Sequence, residues 1–119
     1  MDDKKPIYNL EERTLQFAIA IKEFTKKLPR TNANTVYILQ LLRASASVGA
    51  NYIEANENLG PKDKKMKMKI SKKESKESRF FVRLVDTEGI KGLEEERMKL
   101  IQETTELMNI FGTILKKIE

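Results

Sequence analysis

No cysteine and no histidine occur in this 119-residue chain. Without cysteine there is no disulfide framework, no thiolate nucleophile and no Cys-based zinc site. Without histidine the chain lacks the commonest general base, the commonest metal ligand and the one side chain that titrates unperturbed near neutrality. Tryptophan is absent, glycine and proline number only five and three, and no window approaches the roughly 20 apolar residues of a membrane span. Met1–Pro6 has no apolar signal core behind it. Together these absences argue against an enzyme, a secreted disulfide scaffold and a membrane protein. The expectation is a single cytoplasmic domain (residues 1–119) that acts by binding, with no cofactor and no small-molecule substrate.

What is present is helix-forming sequence. Charged residues make up 34% and hydrophobic residues 39%, and Ala, Leu, Glu, Lys, Gln, Arg and Met dominate long stretches. Four amphipathic segments follow, over about 9–28, 35–59, 62–85 and 93–118. In the first, Leu10, Thr14, Phe17, Ile21, Phe24 and Leu28 step by four and three. Asn9 is placed to cap it and Pro29 to end it. Thr31 or Asn34 caps the second, which carries a run of small residues from Ala44 to Ala50. Small side chains there let another helix backbone come close, and tight packing is the favoured reading over a ligand groove. Gly60-Pro61 stops it.

The third segment has an odd seam. Met66 and Ile70 open it and Phe80, Phe81, Leu84 and Val85 close it, but Lys73, Glu74 and Glu77 lie between. Either its middle is solvated or it carries a buried polar layer whose charges need partners. The fourth has the cleanest heptad, with Leu93, Arg97, Leu100, Thr104, Leu107, Phe111, Ile114 and Ile118. Short connections join the segments, so the predicted fold is all-α, an antiparallel up-down-up-down four-helix bundle.

The net charge of +5 is concentrated: residues 61–85 hold ten Lys/Arg against three Asp/Glu. Lys62, Lys65, Lys69, Lys72, Lys76, Arg79 and Arg83 are the candidate contacts to nucleic-acid phosphates, against the plainer alternative of a solvated helix face. If the second and third segments are antiparallel about Gly60, position x faces about 120 − x. Arg43 then lies level with Glu77 and Ser47 with Lys73. Arg43, Ser47, Asn51, Glu54, Lys73 and Glu77 are therefore candidates for a structural polar layer. Glu54, Glu57, Glu74 and Glu77 admit a carboxylate metal site in principle, but bundles of that kind use Glu-x-x-His motifs, and no histidine exists here.

The stretch Leu41–Ala55, with Arg43, Ser45, Ser47, Gly49, Asn51 and Glu54, resembles the helix-2 signature of bacterial four-helix-bundle proteins encoded within 23S rRNA intervening sequences. Ile70–Leu84 is similar to that family's helix-3 pattern, with Phe80-Phe81 where Tyr-Trp is common. The resemblance implies an antiparallel bundle assembling into a homo-oligomeric ring, a homopentamer. It also implies a kinship with a retroelement accessory protein that binds nucleic acid through a basic surface. The expected function is a non-enzymatic, nucleic-acid-associated scaffold. RNA is favoured over DNA because the family's genes lie in ribosomal RNA insertions. A protein-interaction module using the polar face of the second and third helices is the alternative.

Overall fold

The structure, a computed structural model, describes residues 9–57 and 59–118. Met1–Pro6 and Asn58, which falls within the expected end of the second helix, lie outside the described residues. Four helices run in order: α1 (Leu10–Lys26), α2 (Asn32–Ala55), α3 (Pro61–Leu84) and α4 (Lys91–Ile118). Each packs on its neighbours in the cycle α1–α2–α3–α4–α1, and across the diagonal the Tyr52 ring of α2 meets the Phe111 ring of α4, with centroids 6.1 Å apart. This is the antiparallel up-down-up-down four-helix bundle.

The helix starts follow local chemistry. Asn9 caps α1, its Oδ1 accepting the Glu12 N–H at 2.9 Å. Thr31 caps α2, with Oγ1 accepting the Asn34 N–H at 3.1 Å. α2 therefore begins three residues before the expected Thr35, and Asn34 turns inward instead of capping. Pro61 occupies the first turn of α3, after Gly60 at φ 116°, a conformation that side chains disfavour. Ile21, Phe24, Leu41, Met68, Leu107 and Phe111 are fully buried and form the centre of the core.

The α2–α3 interface is the most extensive in the molecule, and here the structure corrects the expected seam of α3. Its buried positions are Met68, Ser71, Ser75, Ser78, Val82 and Val85, stepping three and four. Met66, Phe80 and Leu84 are instead exposed, at 55%, 56% and 41%. Apolar content pointed to the wrong stripe because the inward face is built from serines. Three of them lie level with the small residues of α2, where Ala44, Ser45 and Val48 are buried. Ser71 Oγ donates to the Val48 carbonyl at 2.9 Å, a side-chain bond onto the partner's backbone that only close helices allow. The antiparallel register is as expected: Asn34 with Asp86, Val48 with Ser71 and Glu54 with Lys67 have numbers totalling 120, 119 and 121.

Two residues tie the loop end of the bundle. Asn34 is fully buried; its Nδ2 donates to the carbonyls of Pro29 and Asp86 and its Oδ1 accepts the Asp86 N–H, all at 2.9 Å. It thereby fastens the α1–α2 connection to the end of α3. Arg97 of α4, expected as a seam position, closes the C-terminus of α3. Its Nη1 donates to the carbonyls of Val82, Arg83 and Val85 at 2.9, 3.1 and 2.8 Å, which are the acceptors a helix end leaves open. Its Nη2 donates to Thr87 Oγ1 and Glu94 Oε2. These bonds from Arg97, then one from Thr87, hold the Glu94 carboxyl below the usual range.

Two substitutions test this packing by urea unfolding. Asn34→Ala strips partners from three backbone groups and is expected to cost about 2–4 kcal/mol; a loss below about 0.5 kcal/mol contradicts the assigned role. In Gly49→Ala the new Cβ would lie 2.7 Å from Thr14 Oγ1 on α1. That crowding should outweigh the roughly 1 kcal/mol gained from helix propensity, giving net destabilisation that Thr14→Ala partly relieves.

Candidate nucleic-acid interface

The basic run of α3 winds through all directions in sequence, but the bundle sorts it. Lys67 turns toward α2 and pairs with Glu54 at 2.8 Å; that hydrogen bond raises the lysine pKa. Lys64 lies beside Gly60, Pro61 and Ile118 at the opposite end from Arg97. The seven candidate residues, Lys62, Lys65, Lys69, Lys72, Lys76, Arg79 and Arg83, step by three and four along one edge of the helix. At 1.5 Å per residue that edge is about 31 Å long.

α4 forms the other wall. A groove of about 1070 Å³ lies between the helices, with Lys69, Lys72, Lys73 and Lys76 on one side and Lys116 on the other. Asn109 and Thr113 line it, and no acidic side chain does. Lys72 Nζ lies over Gly112, 3.6 Å from where a Cβ would stand. Farther along, Arg79 Nη1 donates to Thr105 Oγ1 of α4 at 3.2 Å. Lys62, Lys69, Lys72, Lys76 and Arg83 are exposed, while Lys65 and Arg79 are half-buried.

Four of the five acids of α4 are engaged away from this edge. Glu103 and Glu106 are held by Arg13 of α1 at 2.8 and 2.7 Å, Glu96 by Lys27 at 2.7 Å, and Glu94 by Arg97. Lys69, Lys72 and Lys76 thus have no ion-pair partner among the described residues. The result is a donor-rich, acid-free channel. It suits a polyanion.

The expected polar layer is only partly assembled. Arg43 and Glu77 are level with each other but both exposed, and neither joins an ion pair with the other among the described residues. On the solvent side, hydration replaces the attraction that burial would have enforced. Ser47 does not meet Lys73; its Oγ accepts from Asn51 Nδ2 at 2.8 Å within α2. Lys73 approaches Glu74 at 3.7 Å, and burial, then the neighbouring Glu77, pushes the Glu74 carboxyl up. Only Glu54 bridges the helices, through Lys67 rather than through any predicted partner. Among the described residues no carboxylates, Glu54, Glu57, Glu74 and Glu77 included, gather into a group that could hold a metal ion. The polar side chains that are buried among the described residues are instead Thr14, Thr25, Asn34, Ser45, Ser71, Ser75, Ser78, Thr87 and Thr104.

Lys116, Asn109 and Thr113 were missed as groove residues. They recur every three to four positions on α4, a signal that becomes legible only with the α3–α4 pairing known. No helix among the described residues is long and apolar enough to cross a membrane.

The same bundle is found in a crystal structure of a protein of unknown function from the S23 ribosomal protein family of Bacteroides thetaiotaomicron VPI-5482. That protein is 29% identical, with a TM-score of 0.77, covering 89% of this chain and 97% of its own. No curated protein matches the chain. Residues 8–113 match the family described as 23S rRNA-intervening sequence protein, a span that takes in all of α1, α2 and α3 and most of α4. The helix-2 signature, the bundle and this match agree: the chain belongs to the 23S rRNA-intervening sequence protein family.

Proposed function

We propose that this protein is a non-enzymatic, cytoplasmic RNA-associated scaffold that binds phosphate backbone along the α3 edge and the α3–α4 groove. The acid-free groove with lysines on both walls carries the proposal. A cationic channel of this kind releases counterions when phosphates enter, giving sequence-tolerant, salt-dependent affinity. RNA is favoured over DNA by the family's association with 23S rRNA intervening sequences.

The scaffold part of the proposal is assembly into a homo-oligomer, a pentamer, through the outer face of α1 and α2. Leu39 is 64% exposed, and Ala46, Ala50 and Ile53 follow it along one stripe of α2, all exposed. Leu15 and Ile19 on α1 are exposed too. An exposed stripe that is apolar at heptad spacing, interrupted by Arg43 between Leu39 and Ala46, is the pattern of a helix that packs on another. Ring assembly leaves α3 outward and multiplies weak phosphate contacts through avidity. The same exposed stripe favours the second reading, a protein-interaction module that takes a partner other than RNA.

Anisotropy titration of labelled RNA tests the first part. Affinity should fall at least tenfold between about 50 and 200 mM salt. Lys72→Gln with Lys76→Gln should weaken binding and flatten that slope by about two phosphate contacts. No binding at low salt refutes the function. Native mass spectrometry tests the second part: five subunits are expected, and Leu39→Asp should yield folded monomer. A monomeric wild type, or a pentamer indifferent to Leu39→Asp, contradicts the assigned face.

A further inference from the structure

On its other flank α3 carries a second, smaller groove that adjoins the first. Lys73 and Lys76 line both, so a strand in the basic groove passes its mouth. The second groove, about 550 Å³, is completed by Phe80, Phe81, Gln40 and Glu77. That volume lies within the range of small-ligand sites. Phe80 is 56% exposed. Its ring is held edge-on by Phe81, with centroids 5.2 Å apart and planes at 82°. Phe81 is half-buried and braced in turn by Tyr37 at 6.4 Å. The exposed aromatic thus stands in a small cluster with Phe81 and Tyr37.

We infer that this groove is a nucleotide pocket for single-stranded RNA: one unpaired base stacks on Phe80 while its flanking phosphates lie against Lys73 and Lys76. The inference rests on the proposed function and specifies the form of RNA bound. An aromatic platform beside a cationic track is the arrangement that holds single strands, because every unpaired base offers a free π-face, whereas in a duplex that face is covered by the neighbouring bases. Gln40 and Glu77 lie where a base edge would reach. Glu77 is the groove's one acid; it accepts hydrogen bonds and cannot donate them when ionised, so it suits the amino groups of a base and not a phosphate. Charge complementarity selects the occupant: an apolar partner segment would gain nothing from two lysines at the mouth.

The test compares wild type, Phe80→Ala and Phe80→Tyr in binding a single-stranded RNA of about ten nucleotides, the matching duplex, and free AMP. Phe80→Ala should weaken single-strand binding roughly 5- to 100-fold and leave duplex affinity unchanged, while Phe80→Tyr retains both. Equal losses for single strand and duplex, or no loss for either, overturn the pocket while the salt-dependent phosphate binding stands. AMP binding as tight as the strand assigns the groove to free nucleotides and overturns it as well. So does a change in subunit number on Phe80→Ala, which would make Phe80 part of an interface between copies. Failure of wild type to bind any RNA sinks the proposed function itself, and is distinguishable from all of these. Unfolding midpoints serve as the folding control, since Phe80 is exposed.

Discussion

The close approach of α2 and α3 governs the rest of the molecule. Ala44, Ser45 and Val48 on one helix and Ser71, Ser75 and Ser78 on the other are all buried, and a serine hydroxyl of α3 reaches a carbonyl of α2. Such a seam gains little from burying hydrocarbon, since small side chains have little to bury. Its advantage is dispersion between two backbones packed at short range. Ser78 Oγ has no hydrogen-bond partner among the described residues, which marks size rather than polarity as the property required there.

Turning the serine face inward dictates what α3 shows to water. With the small residues committed to α2, the long side chains are left for the flanks. Lys67 goes to Glu54, the run from Lys69 to Arg79 goes to the α4 side, and Phe80 goes to solvent. Meanwhile Arg13 and Lys27 draw the acids of α4 toward α1. One face of the bundle thereby neutralises itself while the neighbouring edge accumulates positive charge. The proposed RNA contact is a consequence of how the helices share their partners, and not of the basic composition alone.

Much of this was legible beforehand. Four segments, Pro61 in the first turn of α3, the cap at Asn9, the small-residue packing of α2 and the antiparallel register all follow from spacing and turn chemistry; the end of α2 does not, since the helix stops at Ala55, capped at Asn56, short of the expected 59. The seam of α3 did not, because hydrophobic periodicity assumes that buried means apolar. Serine at 71, 75 and 78 is invisible to that criterion, and Met66, Phe80 and Leu84 offered a false stripe. The expected polar layer failed for a related reason: register places Arg43 level with Glu77 but says nothing about whether either is dry. Arg97 and Asn34 were hidden too, as their roles depend on carbonyls freed at helix ends distant in sequence. The seven cationic candidates on α3 share one edge, whereas their counterpart Lys116 required the α3–α4 pairing.

The central claim is that side-chain size at the α2–α3 seam fixes how α3 is rotated. Urea unfolding of Ser78→Leu beside Ser78→Ala measures it most directly. A leucine at a heptad core position would ordinarily stabilise a bundle, but a seam set by size predicts a loss of about 1–3 kcal/mol, with alanine tolerated or slightly stabilising. A Ser78→Leu protein as stable as wild type would contradict the close packing and, with it, the outward placement of the cationic edge.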